Sequence, residues 1–142
     1  MTPTYVTFKQ AVALKDKGFD EELNTVYNLK SEPTKSYYNT MKNSDIEHGT
    51  ICTRPEQWMV VEWLRVNHGI WISVNPDIIE YNNSKDTIEW MFKVYRLPVY
   101  LKNGKIWGTI DNGRYDDIYY YSTPENACSA AWDDILTNLI WY

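Results

Sequence analysis

The stretch QWMVVEWLRVNHGIWISV, residues 57–74, changes character partway along. Up to His68 it carries helix signals. From Ile70 onward Ile70, Ile72 and Val74 alternate with Trp71 and Ser73, the two-residue period of a strand with one buried face. A helix delivered directly into a half-buried strand restricts the chain to mixed folds, in which helices pack on a sheet. The joint also explains His68. Arg65, Asn67 and His68 fall in the last helical turn, Gly69 supplies the terminator, and Ile70 is placed to contact Leu64. A polar or cationic side chain there complements the negative end of the helix, so His68 is read as structural.

Two further helices announce themselves by their ends. In VTFKQAVALKDKGF, Thr7 is the expected N-cap with Gln10 three residues later, the reciprocal capping arrangement, and Val6 is placed to staple onto Ala11. Gly18 closes that helix, spanning about residues 8–17, and Phe19 folds back onto Leu14. Thr53, Pro55 and Glu56 repeat the start signal before the second helix; Ser122, Pro124 and Glu125 repeat it before the third. In the third helix Cys128, Ala131, Trp132, Ile135, Leu136 and Leu139 recur at spacings of three and four and form its core-facing stripe.

Between these helices the alternation continues. Ile88, Trp90, Phe92 and Val94 oppose Met91, Lys93 and Tyr95, and Asn103-Gly104 sits between two alternating runs as a hairpin turn. YDDIYYYS offers a last strand. Residues 31–50 are polar and aperiodic and read as a long loop, the least ordered part, with an edge hairpin beginning at LNTVYNL. The expected architecture is one α+β domain over residues 1–142: an antiparallel sheet of four to five strands with three helices packed mainly on one face.

Several functions are disfavoured by what the chain carries. Its 142 residues suffice to bury a core without metal or disulfide. Fourteen Lys and Arg against 19 Asp and Glu leave a net charge of −5 and no basic stripe for a long nucleic acid. No run is long and apolar enough to span a membrane, and MTPTYVTFKQ does not read as a secretory signal, so the cytoplasm is the expected compartment. Cys128 reads as a small buried hydrophobe. His48 and Cys52, four residues apart, are the one conceivable Cys/His pair, and two His with two scattered Cys make a poor zinc site. No phosphate-binding glycine loop or nucleophile elbow is present, and Asp116-Asp117 and Asp133-Asp134 are adjacent pairs that do not converge from separate elements. No catalytic constellation, metal site or cofactor is expected.

The aromatic content is the positive clue. Seven Trp and twelve Tyr exceed what one small core needs, because indole N–H and phenol O–H groups seek polar partners. If Ile70, Ile72, Val74, Trp90, Phe92, Val99, Leu101, Ile106 and Ile110 face the helices, the alternation sends Trp71, Tyr95, Tyr100 and Trp107 to the opposite face, with Tyr119 and Tyr121 as further candidates. An aromatic second face calls for a cover. The 31–50 loop or a second copy of the chain is one cover, a protein partner another, a stacked sugar or nucleobase a third. Lys93, Arg96 and Arg114 are available to pair with a phosphate. The binding set is therefore Trp71, Tyr95, Tyr100, Trp107, Tyr119 and Arg96.

Residues 57–74, the run YYYSTPENACSAAWDDILTNLI and the N-terminal TFKQAVALKDKGFD together resemble small uncharacterised proteins encoded by bacteriophages and prophages of gut bacteria. The likeness lies in a Gln-to-Trp-Leu-Arg helix running into a strand, and in a final Ala-rich helix after an acidic turn, over about half the chain. It carries no catalytic residues. It implies an accessory protein of the infected cell that binds a host or phage protein non-covalently, with a homo-oligomer as one form. Sequestration of a small nucleotide-like defence signal is the alternative, and a carboxylate-dependent hydrolase comes third.

Overall fold

Helix α1, Phe8–Asp16, shows how closely local signals govern this chain. Thr7 Oγ1 accepts from the Gln10 amide at 3.2 Å, and Gln10 Oε1 accepts from the Thr7 amide at 3.0 Å. At the other end Gly18, at φ +91°, lets the Phe19 amide reach the Leu14 carbonyl at 2.9 Å and its own amide reach Lys15 at 3.1 Å. Both paired bonds of a Schellman turn are present, with Phe19 and Leu14 both buried as the motif requires.

The computed structural model describes residues 3–37, 39–46, 48–79, 87–96, 99–100, 106–107 and 120–139. They belong to two compact units, residues 1–63 with 133–142, and residues 64–132.

In the first unit, strands β1 (Thr25–Asn28), β2 (Pro33–Lys35) and β3 (Thr50–Thr53) form an antiparallel sheet in the order β2-β1-β3. The segment expected to be a long loop thus contains a strand and delivers the start of another. Every residue of β2 is exposed, so it has no buried face to betray it by alternation. Its hairpin is set instead by Asn28, whose Oδ1 accepts from the Lys30 and Glu32 amides at 2.9 and 3.0 Å. The rest of the loop is pinned down. A single 3-10 turn, Asn43–Asp45, presents Asn43, whose Nδ2 donates to Phe19 O at 2.7 Å and whose Oδ1 accepts from the Thr53 amide at 2.9 Å. Asp20 accepts from both the Ser44 amide and hydroxyl, at 2.6 and 2.7 Å. Val6, Ala11, Leu14, Phe19, Leu23, Val26, Tyr27, Met41, Cys52, Val60 and Trp63 are buried apolar residues of this unit, to which Ile135 and Leu136, from the C-terminal part of the chain, also belong. Gln10 joins them: its Nε2 donates to Asp133 Oδ1 at 3.0 Å.

Helix α2 runs Gln57–His68, starting three residues later than a Thr53 cap would place it. Thr53 ends β3 instead. Residues 54–56 stay extended because they pair with the N-terminal segment: Val6 donates to Pro55 O at 3.1 Å, Gln57 donates to Thr4 O at 2.8 Å, and Tyr5 bridges Glu56. The first helical carbonyl is that of Glu56, which accepts from Met59 at 3.1 Å. At the far end His68 is the last helical residue and Gly69 follows at φ +63°, the expected terminator.

In the second unit, β4 (Ile70–Ile79) and β5 (Thr87–Arg96) form an antiparallel ribbon of ten residues per strand. Strands β6 (Val99–Tyr100) and β7 (Ile106–Trp107) pair as the expected hairpin, with Asn103 and Gly104 outside the described residues. Helix α3, Pro124–Asp134, is capped by Thr123 and not Ser122: Thr123 Oγ1 accepts from the Asn126 amide at 3.1 Å. Ala127, Ala131 and Trp132 are its buried residues, while Cys128 is half-buried; a wider turn over 135–139 continues it, with Ile135 and Leu136 buried.

The α+β class holds. The single sheet of four to five strands does not: among the described residues the strands form separate ladders of three, two and two strands. In the first, β1 lies in LNTVYNL, the place of the expected edge hairpin, β2 lies in the segment read as loop, and β3 begins at its end. Among the described residues the ribbon is also met by a pair of hydrogen bonds, Trp90 N to Tyr121 O at 2.8 Å and Tyr121 N to Trp90 O at 2.7 Å; residues 115–119 of the expected last strand lie outside the described residues.

Candidate binding face

The β4–β5 register sorts the ribbon into two sets. Ile70 pairs with Arg96, Ile72 with Val94, Val74 with Phe92, Pro76 with Trp90 and Ile78 with Ile88. Trp71 pairs with Tyr95, Ser73 with Lys93, Asn75 with Met91 and Asp77 with Glu89. Cross-strand partners share a face. The first set is the apolar one that the alternation assigned to the core. Ile70 and Val94 are fully buried, and Phe92 lies 6.1 Å from the ring of Tyr121. Tyr121 therefore belongs with Phe92 and not, as expected, with the second set. Burial lessens toward the far end of this face, where Ile88 is 60% exposed.

The second set carries Trp71, which is 41% exposed. The last turn of α2 and the Gly69 terminator bring Arg65 back over the strand, with its guanidinium carbon 5.4 Å from the Trp71 ring centroid. Ser73 Oγ accepts from Asn75 Nδ2 at 2.8 Å, so the neighbouring positions on this face are polar and hydrogen-bonded. Lys93, half-buried opposite Ser73, adds a second cation within two residues of the Trp71 position. The local chemistry is an aromatic plate flanked by positive charge on a chain of net charge −5.

Of the six residues expected to form the site, Trp71 and Tyr95 are direct register partners. Arg96 pairs with Ile70, one step along and in the other set. Tyr100 and Trp107 lie on β6 and β7, where Tyr100 pairs with Ile106 and Trp107 with Val99, so the two are not partners of each other. Tyr119 lies outside the described residues, as does Arg114. Arg65 was not anticipated as part of the face; the signal for it is the Gly69 turn, which reverses the chain between Arg65 and Trp71.

Other candidate chemistry is dispersed. His48 is exposed whereas Cys52 is fully buried, and burial pushes the Cys52 thiol up to about 11, the wrong direction for a nucleophile. Burial also raises the half-buried Cys128 thiol to about 11. No group of three or more His, Cys, Asp or Glu side chains among the described residues is arranged to hold a metal ion. None of the described helices is long and apolar enough to cross a membrane.

No family model, curated protein or solved structure matches this chain.

The ribbon must therefore be read from its own geometry. What that geometry offers is an accessible indole with the Arg65 guanidinium near its ring, on a ladder whose other face is closed around Ile70 and Val94. An indole has few rotatable bonds to fix on binding, and it offers a large apolar contact with one N–H donor.

Proposed function

We propose that this chain is an accessory protein of the phage type that acts in the host cytoplasm by non-covalent binding of a host or phage protein, through the Trp71 face of the β4–β5 ribbon. The observation that carries the reading is Trp71 itself, 41% exposed in a strand whose neighbour Ile70 is buried, with the Arg65 guanidinium over its ring. Leaving so large an apolar ring in water forgoes the burial that its neighbours obtain. Trp, Tyr and Arg are the residues enriched where a few side chains carry most of an interface's energy. The free thiols of Cys52 and Cys128 fit a reducing compartment. Truncating a central interface residue of this kind costs about 2 kcal/mol or more, roughly thirtyfold in affinity.

The experiment is capture from phage-infected host lysate with the wild-type chain and with Trp71→Ala, followed by mass spectrometry. Sedimentation of the purified chains shows whether a second copy is the partner. A partner or self-association lost in Trp71→Ala, with the fold intact by circular dichroism, supports the reading. Partners and oligomeric state that are identical in both chains remove it.

A further inference from the structure

Arg54, in the first unit, is an arginine whose backbone is fixed and whose guanidinium Nε lacks a hydrogen-bond partner among the described residues. Its backbone is locked to β1: the Arg54 amide donates to Thr25 O at 2.9 Å, and Thr25 Oγ1 donates to Arg54 O at 2.7 Å. Its guanidinium carbon lies 3.8 Å from the centroid of the Tyr5 ring and 5.7 Å from that of Tyr27. Both rings are themselves held. Tyr5 sits in the N-terminal segment that bridges Glu56, and the Tyr27 hydroxyl donates to Val6 O at 2.6 Å while its ring meets Phe8 edge-on at 5.4 Å.

Stacking satisfies the face of a guanidinium and leaves its in-plane N–H groups to be used elsewhere. Arg54 Nε is buried with no hydrogen-bond partner among the described residues. Glu56, two residues along, turns its carboxylate to the Trp58 indole N–H instead. Guanidinium donors in this condition, on a fixed backbone and beside aromatic surface that lowers the local dielectric, favour a planar or tetrahedral oxyanion.

We propose that Arg54 is an oxyanion-binding residue, taking a single phosphate or carboxylate head group at the terminal nitrogens of a guanidinium laid against Tyr5 and Tyr27. One cation on a chain of net charge −5 suits a small head group held by contact, and not a polyanion drawn by the overall field.

The test follows the Arg54 Nε–H resonance, assigned through bonds in the intact 15N-labelled chain, during titration with inorganic phosphate or with acetate, at ionic strength held constant with chloride. Saturable movement of that resonance is expected in the wild type, and the Tyr5 and Thr25 backbone amides, followed in both chains, should saturate with affinity at least about tenfold lower in Arg54→Lys, which keeps the charge and loses the fork. A response to phosphate alone assigns a phosphorylated ligand, and an equal response to acetate assigns a carboxylate. Drift no greater than that produced by chloride in the wild type overturns the proposal, whether or not the variant folds. So does saturation that Arg54→Lys leaves unchanged.

Discussion

Replacing Asn43 by Ala should be among the most damaging single changes in the first unit, although the residue lies in a segment that looks dispensable. Asn43 is buried, and its amide group satisfies two backbone groups from distant parts of the chain: Phe19 O at 2.7 Å and the Thr53 amide at 2.9 Å. Alanine removes both partners at once and leaves a buried carbonyl and a buried N–H without replacements. Each orphaned group costs about 1–3 kcal/mol, so the sum is about 2–6 kcal/mol before any void is counted. Against a typical total stability of about 5–15 kcal/mol that is a large fraction. The measurement is urea unfolding followed by circular dichroism, with the midpoint shift converted at the wild-type slope. Asn43→Asp separates the two bonds, because it retains the acceptor for Thr53 and loses the donor to Phe19. It should fall between wild type and Ala. A loss below about 1 kcal/mol for Asn43→Ala would refute the reasoning, since it would mean that water reaches Phe19 O and the Thr53 amide.

Three other outcomes follow from single features. Gly18→Ala should cost about 1 kcal/mol in the same assay, because φ +91° strains any side chain while nothing within 4 Å obstructs a Cβ; an unchanged midpoint would contradict the positive φ. With its thiol at about 11, Cys52 should react with Ellman's reagent at pH 8 at least roughly a hundredfold more slowly in the folded chain than in urea, and equal rates would contradict its burial. The Asp20 carboxyl is held below its ordinary value, chiefly by the Ser44 hydroxyl bond. A depressed folded pKa contributes stability that is fully present above the unfolded value and lost as pH falls through the folded one. Ser44→Ala should therefore differ from wild type at neutral pH and converge with it in acid, and a gap that widens in acid would contradict the bond.

What could be read in the sequence was what is decided within a few residues. The Thr7–Gln10 box, the Gly18–Phe19 closure and the His68–Gly69 joint each depend on side chains three to five positions apart, and all three are found. Thr53 shows where this logic fails. Thr53-x-x-Glu56 has the same form as a helix cap, yet residues 54–56 are claimed by the N-terminal segment through Val6 and Thr4, partners nearly fifty residues away in sequence. Strand β2 failed to announce itself for the opposite reason: with no buried face it carries no alternation, and only backbone pairing to β1 defines it.

The candidate face was legible in the same uneven way. The register pairs Trp71 with Tyr95 and sets Ile70 and Val94 in the alternate rows, as a period of two requires. Alternation could not show which rings have duties inside the protein. Tyr121 meets Phe92, Phe19 meets Trp63 at 5.5 Å, Tyr5 and Tyr27 lie against Arg54, and Trp132 is wholly buried. Much of the aromatic surplus is internal structure; Trp71 is left exposed on the ribbon, while Tyr37 and Trp58, at 89% and 64%, are exposed in the first unit. The contribution of Arg65 depends on the reversal at Gly69 and has no signature in spacing alone.

The most direct measurement places a photoreactive benzoylphenylalanine at position 71 and, as a control, at Leu29, which is 69% exposed on the β1–β2 hairpin. Both chains are irradiated in infected host cells. Discrete covalent adducts to one protein species from position 71, absent from position 29, are the predicted result. The same diffuse labelling from both positions, or none from position 71, would contradict a docking role for the Trp71 face.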